Sequence, residues 1–340
     1  MTTAPRDVLA AAAQLARRGA PAMLCAVVRA RGSTPQSAGA LMVVDQRGEL
    51  HGTIGGGCVE AEVRRRSLEL LHAGRSGVLR FTLDHDFGWD DGLICGGTLE
   101  VAAAPLPAES ILQAALDRLE ARVDAELELA VEHEGVERRW SIAIPPRDRL
   151  LIAGAGHVGQ ALARLALRLE FEVVLFDDRA DLLARFAPEG CATVAGEIGA
   201  ALRAEPVDLR TCGVVVTRGH RNDEQALEAL LGRGARSLGM IGSRRKVKLI
   251  FDELIERGAD PSELARVNAP IGLPIGSVTV EEIALSIAAQ LVALRREERF
   301  VPVRELAPPE RGGSHRESAE RVSAAGAPRT PTHSPSSPGR

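Results

Sequence analysis

The chain sets two thiols in glycine: Cys58 follows Gly55-Gly56-Gly57, and Cys95 precedes Gly96-Gly97. Glycines free several backbone amides to converge on one anion. Cys58 also stands in the first turn of a predicted helix, where the dipole favours the thiolate, the nucleophilic form. A small packed Cys beside a turn is the alternative at each place. A further anion site is spelled by Gly154-Ala155-Gly156-His157-Val158-Gly159. An apolar run precedes it, a helical pattern follows, and a second apolar run closes on Asp177 and Asp178. In that strand–turn–helix context the three glycines serve a tight turn, close phosphate approach and close helix packing. The helix start then faces an anion. Asp177 stands where an acid can hold a ribose diol, with Asp178 as the alternative. His157 could touch a phosphate or simply pack.

Two basic stretches complete the candidates. Ser243 caps a predicted helix whose first turn is Arg244-Arg245-Lys246. Cations are unfavourable at that end of a helix, so the pattern suits a bound anion, phosphate above all. A solvated basic turn is the alternative. Thr217 to Asp223 follows a strand at its C-terminal end, where open α/β sheets bind ligands. Arg218 there could hold an anion, and His220 and Asp223 could do acid–base work. Cys25, Cys191 and Cys212 lie in or beside apolar runs and read as packed residues. No C-x-x-C pair and no His/carboxylate cluster of ordinary metal spacing is evident, so no resident metal is expected.

These residues need two kinds of scaffold. Residues 148–300 alternate strand and helix, which predicts a Rossmann-like parallel sheet. Asn222 reads there as a helix N-cap, and Thr279 with Glu282 as a capping box. Residues 1–104 mix a first helix, near 7–18, with four strands and the helix after Gly57, an α+β domain. Residues 105–147 read as a helix and a hairpin that connect the two, with Pro145-Pro146 before the second domain. After Pro302 the chain turns to Pro, Ser, Arg and Gly, so 301–340 is expected to be a disordered tail.

Composition narrows the class. The 340 residues are 45% hydrophobic with a net charge of −4 and no Tyr, which disfavours a nucleic-acid binder. No apolar run reaches transmembrane length, and the Ala-rich N-terminus reads as a surface helix. Five scattered Cys without an export signal point to a reducing cytoplasm.

Taken together, GSTPQSAGALMVV, GTIGGGCVEAEV and CGGTLEV resemble the first domain of the XdhC/CoxI family. IAGAGHVGQALARLA, TRGHRNDEQAL, MIGSRRK and APIGLPIGSVTVEEIALSI resemble its C-terminal Rossmann domain. The resemblance runs in order from about residue 8 to 298 and is weak around 105–147. It implies a maturation factor that binds molybdenum cofactor in its molybdopterin form as cargo, supports its sulfuration and inserts it into a molybdenum hydroxylase such as xanthine dehydrogenase. It implies an accessory protein rather than a turnover enzyme. The apo-hydroxylase is the implied partner, with a cysteine desulfurase and a second copy of the chain beside it. The glycine loops, Cys58 and Cys95 become candidates for handling the cofactor, and a nucleotide is a further candidate ligand. From the residues alone an NAD(P)-dependent oxidoreductase stays open, carried by the glycine turn and Asp177. A domain that only senses a nucleotide is a third reading.

Overall fold

In a computed structural model, residues 4–83, 97–297 and 302–307 are described. Helix α1 (Pro5–Arg17) leads into β1 (Ala22–Arg31), β2 (Leu41–Asp45), β3 (Leu50–Gly52), α2 (Gly57–His72), β4 (Gly77–Leu83) and β5 (Gly97–Pro105). The strands form an antiparallel sheet in the order β3-β2-β1-β5-β4. The unbroken apolar run of β1 is explained by burial on both faces. Leu24, Ala26 and Val28 join one core cluster, while Met23, Cys25 and Val27 join another with Val59 and Val63 of α2. The N-terminal helix buries Val8, Leu9, Ala12 and Ala13 in the first of these clusters.

Helix α3 (Glu109–Glu120) and the antiparallel hairpin of β6 (Ala125–His133) and β7 (Val136–Ile144) follow. The alternation AELELAVEH in β6 buries every second residue, as a strand with one wet face must. Glu134 and Gly135 both have positive φ, the turn that a two-residue hairpin loop favours. Leu112, Leu127 and Trp140 share the core of Leu24 and Ala26. The segment expected to be a connector is therefore built into the first domain's core.

The second half is the Rossmann-like sheet: β8 (Arg149–Ala153), α4 (His157–Arg168), β9 (Glu172–Asp177), α5 (Ala180–Phe186), β10 (Ala192–Ala195), α6 (Ile198–Ala204), β11 (Thr211–Val215), α7 (His220–Leu230), β12 (Ser237–Met240), α8 (Arg244–Glu256), α9 (Pro261–Ala265) and α10 (Val280–Glu297). Its strands are parallel in the order β10-β9-β8-β11-β12. Alternate residues of β8 feed separate cores on the two faces, Leu150 and Ile152 on one and Leu151 and Ala153 on the other. The capping box of α10 is present: Thr279 N–H donates to Glu282 Oε2 (2.9 Å) and Glu282 N–H to Thr279 Oγ1 (3.3 Å). Asn222 is not the cap of α7. Gly219 holds that position, and Asn222 lies in the first turn.

Part of the segment expected as a disordered tail is a strand. Val303–Leu306 forms β13, antiparallel to β7, in a three-stranded sheet of order β13-β7-β6. The open edge of β7 offers ladder partners, and Arg138 donates to Glu305 (2.8 Å) across the new pair. Residues 308–340 lie outside the described residues.

A polar seam ties the halves together. Arg122 of the first half donates to Asp208 (2.7 Å) and Glu172 (2.9 Å) of the second. Burial raises the Asp208 carboxyl, but Arg122 and Thr211 outweigh it and bring it down to about 2. Glu172 and Asp208 precede or begin strands β9 and β11. The seam thus lies at the N-terminal ends of the parallel strands, opposite the end that carries the glycine turn. Among the described residues no helix is long and apolar enough to cross a membrane.

Candidate functional site

The glycine turn after β8 has the geometry its sequence demands. Gly154 has φ +111, and a Cβ there would lie 2.7 Å from the Val216 carbonyl oxygen. A Cβ on Gly159 would lie 1.9 Å from the Gly154 carbonyl oxygen, so only glycine lets α4 sit this close to its strand. Gly156 caps α4, and a Cβ there would meet nothing within 4 Å. Open space therefore lies where a phosphate would approach the first amides. His157, the first helical residue, is exposed.

Asp177 is differently engaged from what the sequence suggests. It is 3% exposed, and its Oδ2 accepts from the Ala155 amide (2.7 Å) and Arg179 Nη2 (3.0 Å). Its Oδ1 accepts from the Arg179 amide (3.1 Å) and Nε (2.8 Å). Burial pushes this carboxyl up, but Arg179 and the two amides outweigh it and hold it below the ordinary range. Both oxygens serve to clamp the turn, which leaves a poor acceptor for a ribose diol. Sequence reasoning missed Arg179, although a basic residue two places after the strand-end acid was the available signal. Asp177 lines a cleft of about 180 Å³ together with Gly156, Asp178, Arg179, Thr217, Arg218 and Asn222. The cleft lies at the C-terminal ends of β8, β9 and β11.

The neighbouring helix starts divide their charges. Asp223 is fully buried, accepts from Thr217 Oγ1 (2.6 Å) and pairs with Lys246. It holds α7 to α8 and is closed to substrate, which corrects the acid–base role expected for it. Lys246 likewise leaves the expected anion-binding turn. Ser243 caps α8 as expected, accepting from the Lys246 amide (3.3 Å), while Arg244 and Arg245 remain exposed. His220 Nε2 lies 2.6 Å from Glu253 Oε2. That carboxylate orients the ring, and no sequence signal links it to a residue 33 positions earlier.

In the first domain the structure gathers the other glycine segments. A Cβ on Gly55 would lie 2.6 Å from Pro35, and one on Gly97 2.3 Å from the Ser33 carbonyl oxygen. The 32–40 loop after β1 thus packs against both. Gly55, Gly56 and Gly57 all have positive φ, and beyond Gly56 and Gly57 lies open space. Cys95 and Gly96 lie outside the described residues. Cys58 is the second residue of α2 and is partly exposed. Two residues on, Glu60 has a buried Oε1 with no hydrogen-bond partner. Leaving a buried acceptor unpaired costs about 1–3 kcal/mol, more for a charged group, so this carboxylate is a functional candidate that sequence reasoning missed.

The thiols separate by environment. Burial pushes Cys25 up to about 12 and Cys191 up to about 11. Cys212 is 1% exposed. Alkylation at neutral pH with peptide mapping should therefore label Cys58 before Cys25, Cys191 or Cys212. Equal labelling of Cys58 and Cys191 would remove any special standing of the glycine-flanked thiol.

One group with metal-ligand geometry occurs among the described residues, contrary to the sequence expectation. Ligand atoms of Asp45, Glu49 and His51 lie within 4.8 Å of one another in the β2–β3 hairpin. Asp45 Oδ1 accepts from the amides of Arg47 and Glu49 (2.8 Å each), which closes the hairpin turn.

Comparisons with known proteins agree with this architecture. The family model of the XdhC Rossmann domain matches residues 150–291, and that of the XdhC and CoxI family matches residues 15–82. The Escherichia coli uncharacterized protein YqeB is 29% identical over 291 residues, covering 85% of this chain and 46% of that protein. The chain thus spans under half the length of that relative. The E. coli molybdenum cofactor insertion chaperone PaoD is 25% identical, covering 87% of this chain and 90% of that protein. A Bacillus subtilis protein named as a probable xanthine dehydrogenase subunit is 24% identical, covering 81% of this chain and 93% of that protein. A crystal structure described as a xanthine dehydrogenase from Bacillus halodurans superposes with a TM-score of 0.75 at 21% identity, covering 86% of this chain and 97% of that one. At that identity the likeness establishes the fold.

Proposed function

This chain belongs to the XdhC and CoxI family, and from that premise we propose that it is a maturation factor for a molybdenum hydroxylase such as xanthine dehydrogenase. It holds molybdenum cofactor as cargo, supports its sulfuration and delivers it to the apo-enzyme. The names of two relatives, an insertion chaperone and a xanthine dehydrogenase subunit, support that reading. The observation that carries it is the cleft beside the glycine turn. Gly156 leaves room for a phosphate at the start of α4, and Arg218 lines the same space, beside the Arg179–Asp177 pair. Molybdopterin ends in a phosphate, and guanidinium groups grip phosphate bidentately. Arg244 and Arg245, exposed at the start of α8, would serve any nucleotide appended to it. His220, hydrogen-bonded to Glu253, would be the group that exchanges a proton with the cargo. Cys58 would contact the molybdenum–sulfur group, since thiolates are soft ligands. A cysteine desulfurase as sulfur donor and a homodimer belong to the same proposal.

An NAD(P)-dependent oxidoreductase is the weaker reading because Asp177, which would hold the ribose diol, is clamped by Ala155 and Arg179. The test is the ligand itself. Protein purified from cells that make the cofactor should carry molybdenum, measured by mass spectrometry, and a fluorescent pterin after oxidation. Arg218→Ala and Arg245→Ala should each lower that occupancy, the first by tenfold or more, about 1.4 kcal/mol. A nicotinamide nucleotide in place of molybdenum would overturn the reading.

A further inference from the structure

We infer that Asp45, Glu49 and His51 form a binding site for a divalent transition-metal ion, zinc above all. The inference does not depend on the maturation reading. Ligand atoms of the three side chains come within 4.8 Å of one another. Strand register explains why they converge. Val43 pairs with His51, and the Asp45 amide donates to the Glu49 carbonyl oxygen (3.1 Å). Directly opposed residues share a face of a hairpin, and so do residues two apart on one strand. Asp45, Glu49 and His51 therefore stand on the face of Val43, which joins the core with Val8 and Leu9 of α1. Arg64, which reaches Gly48 in the turn, comes from α2, and α2 packs on the opposite face with Met42 and Val44.

The hydrogen bonds leave this group incomplete. Asp45 is only 7% exposed. Its Oδ1 accepts from two amides, while Oδ2 receives no hydrogen bond from the described residues and is not sealed from solvent. The His51 ring makes no hydrogen bond or ion pair among the described residues, and none joins the three side chains to one another. A buried carboxylate with an idle oxygen thus sits beside a second carboxylate and an idle imidazole, with no cation to offset the two like charges. One imidazole nitrogen and two carboxylate oxygens are a zinc donor set, whereas magnesium and calcium prefer oxygen alone. Three protein ligands leave the fourth position to water. Such ligands lie about 2.0–2.2 Å from zinc, hence about 3.3–3.6 Å from one another in a tetrahedron. Closing from 4.8 Å takes a shift of about 1.5 Å at most, which Glu49, the exposed member, can make by rotating. A bound ion would pin the β2–β3 hairpin, and three residues after β3 ends the chain enters Gly55-Gly56-Gly57.

The test uses the full chain, stripped by a chelator, with zinc chloride and cobalt chloride as probes. In calorimetric titration, Glu49→Gln and His51→Ala should each weaken one zinc equivalent at least tenfold. Zinc should raise the thermal midpoint of the wild type by more than that of either variant, since binding to the folded state stabilises it. Magnesium and calcium at the same concentration should leave the midpoint unchanged. Cobalt should show the visible bands of a nitrogen and oxygen site without thiolate charge transfer. Cys58→Ser should leave the equivalent intact. Glu49 is exposed, so its variant keeps the test decisive should His51→Ala fold poorly. Zinc binding that survives both Glu49→Gln and His51→Ala, or that disappears with Cys58→Ser, places the metal on thiols and overturns the inference. Absence of zinc binding, or calcium binding as tight as zinc, overturns it equally.

Discussion

Gly159→Ala should destabilise the second domain by about 3 kcal/mol or more, the upper end of the overpacking range. The added Cβ would lie 1.9 Å from the Gly154 carbonyl oxygen, and neither atom belongs to a side chain that can rotate away. Relief requires α4 to move off β8. That movement would open the core that joins Leu150 and Ile152 to Ala161, Leu162 and Ala166. Domain stabilities are about 5–15 kcal/mol in total, so the loss is a large fraction. Gly156→Ala is the contrast. Gly156 has φ −67, and a Cβ there would meet nothing within 4 Å. It should leave the urea midpoint nearly unchanged while obstructing a phosphate at the helix start. Urea unfolding followed by circular dichroism checks both. A Gly159→Ala midpoint equal to wild type would mean that the close approach of helix to strand is unnecessary.

This pair of glycines also marks what the sequence could reveal. A Gly-x-Gly-x-x-Gly between an apolar run and a helical run encodes backbone geometry, so Gly154, Gly156 and Gly159 were legible along with β8, α4 and β9. The buried central strand β1 was legible for a similar reason, because its apolar run AMLCAVV is long and uninterrupted. Strand β10 was not. Its four residues, Ala192–Ala195, form a short edge strand that is mostly exposed, so no core pattern marks it. Strand β13 was hidden because Val303–Leu306 adjoins a polar segment and its pairing partner lies some 160 residues earlier. At the candidate site the failures are electrostatic. Local reasoning assigned Asp177 to a ribose and Lys246 to an anion. Each instead has a protein partner: Arg179, a local signal two places after Asp177, and Asp223, which only the folded chain brings to Lys246. Glu60 was passed over because an acid in the first turn of a helix is ordinary. Only its Oε1, buried without a hydrogen-bond partner in a partly exposed side chain, singles it out.

Lys246→Met should cost about 3 kcal/mol, the lower end of the range for breaking a buried ion pair. Asp223 has no exposed surface, and its carboxylate is served by Thr217 Oγ1 and Lys246 Nζ. Without the ammonium, a charge enclosed between α7 and α8 keeps one hydroxyl partner. The Lys246 side chain is itself 31% exposed, so water can partly replace it, which places the loss at the low end. Arg245→Ala should behave oppositely. Arg245 is an exposed cation at a helix start, and its removal should leave the ligand-free protein neutral or stabilise it by about 0.3–1 kcal/mol. The double variant Asp223→Asn with Lys246→Met should recover much of the loss, because both charges leave together. Urea midpoints for the two single variants and the pair form the measurement. If Lys246→Met is as mild as Arg245→Ala, the lysine is not holding α8 to α7. It would then rejoin Arg244 and Arg245 as part of one anion-binding turn. A severe Lys246→Met with a mild Arg245→Ala splits Arg244-Arg245-Lys246 into two jobs: two arginines available to a ligand, and a lysine that keeps the helix starts together beneath it.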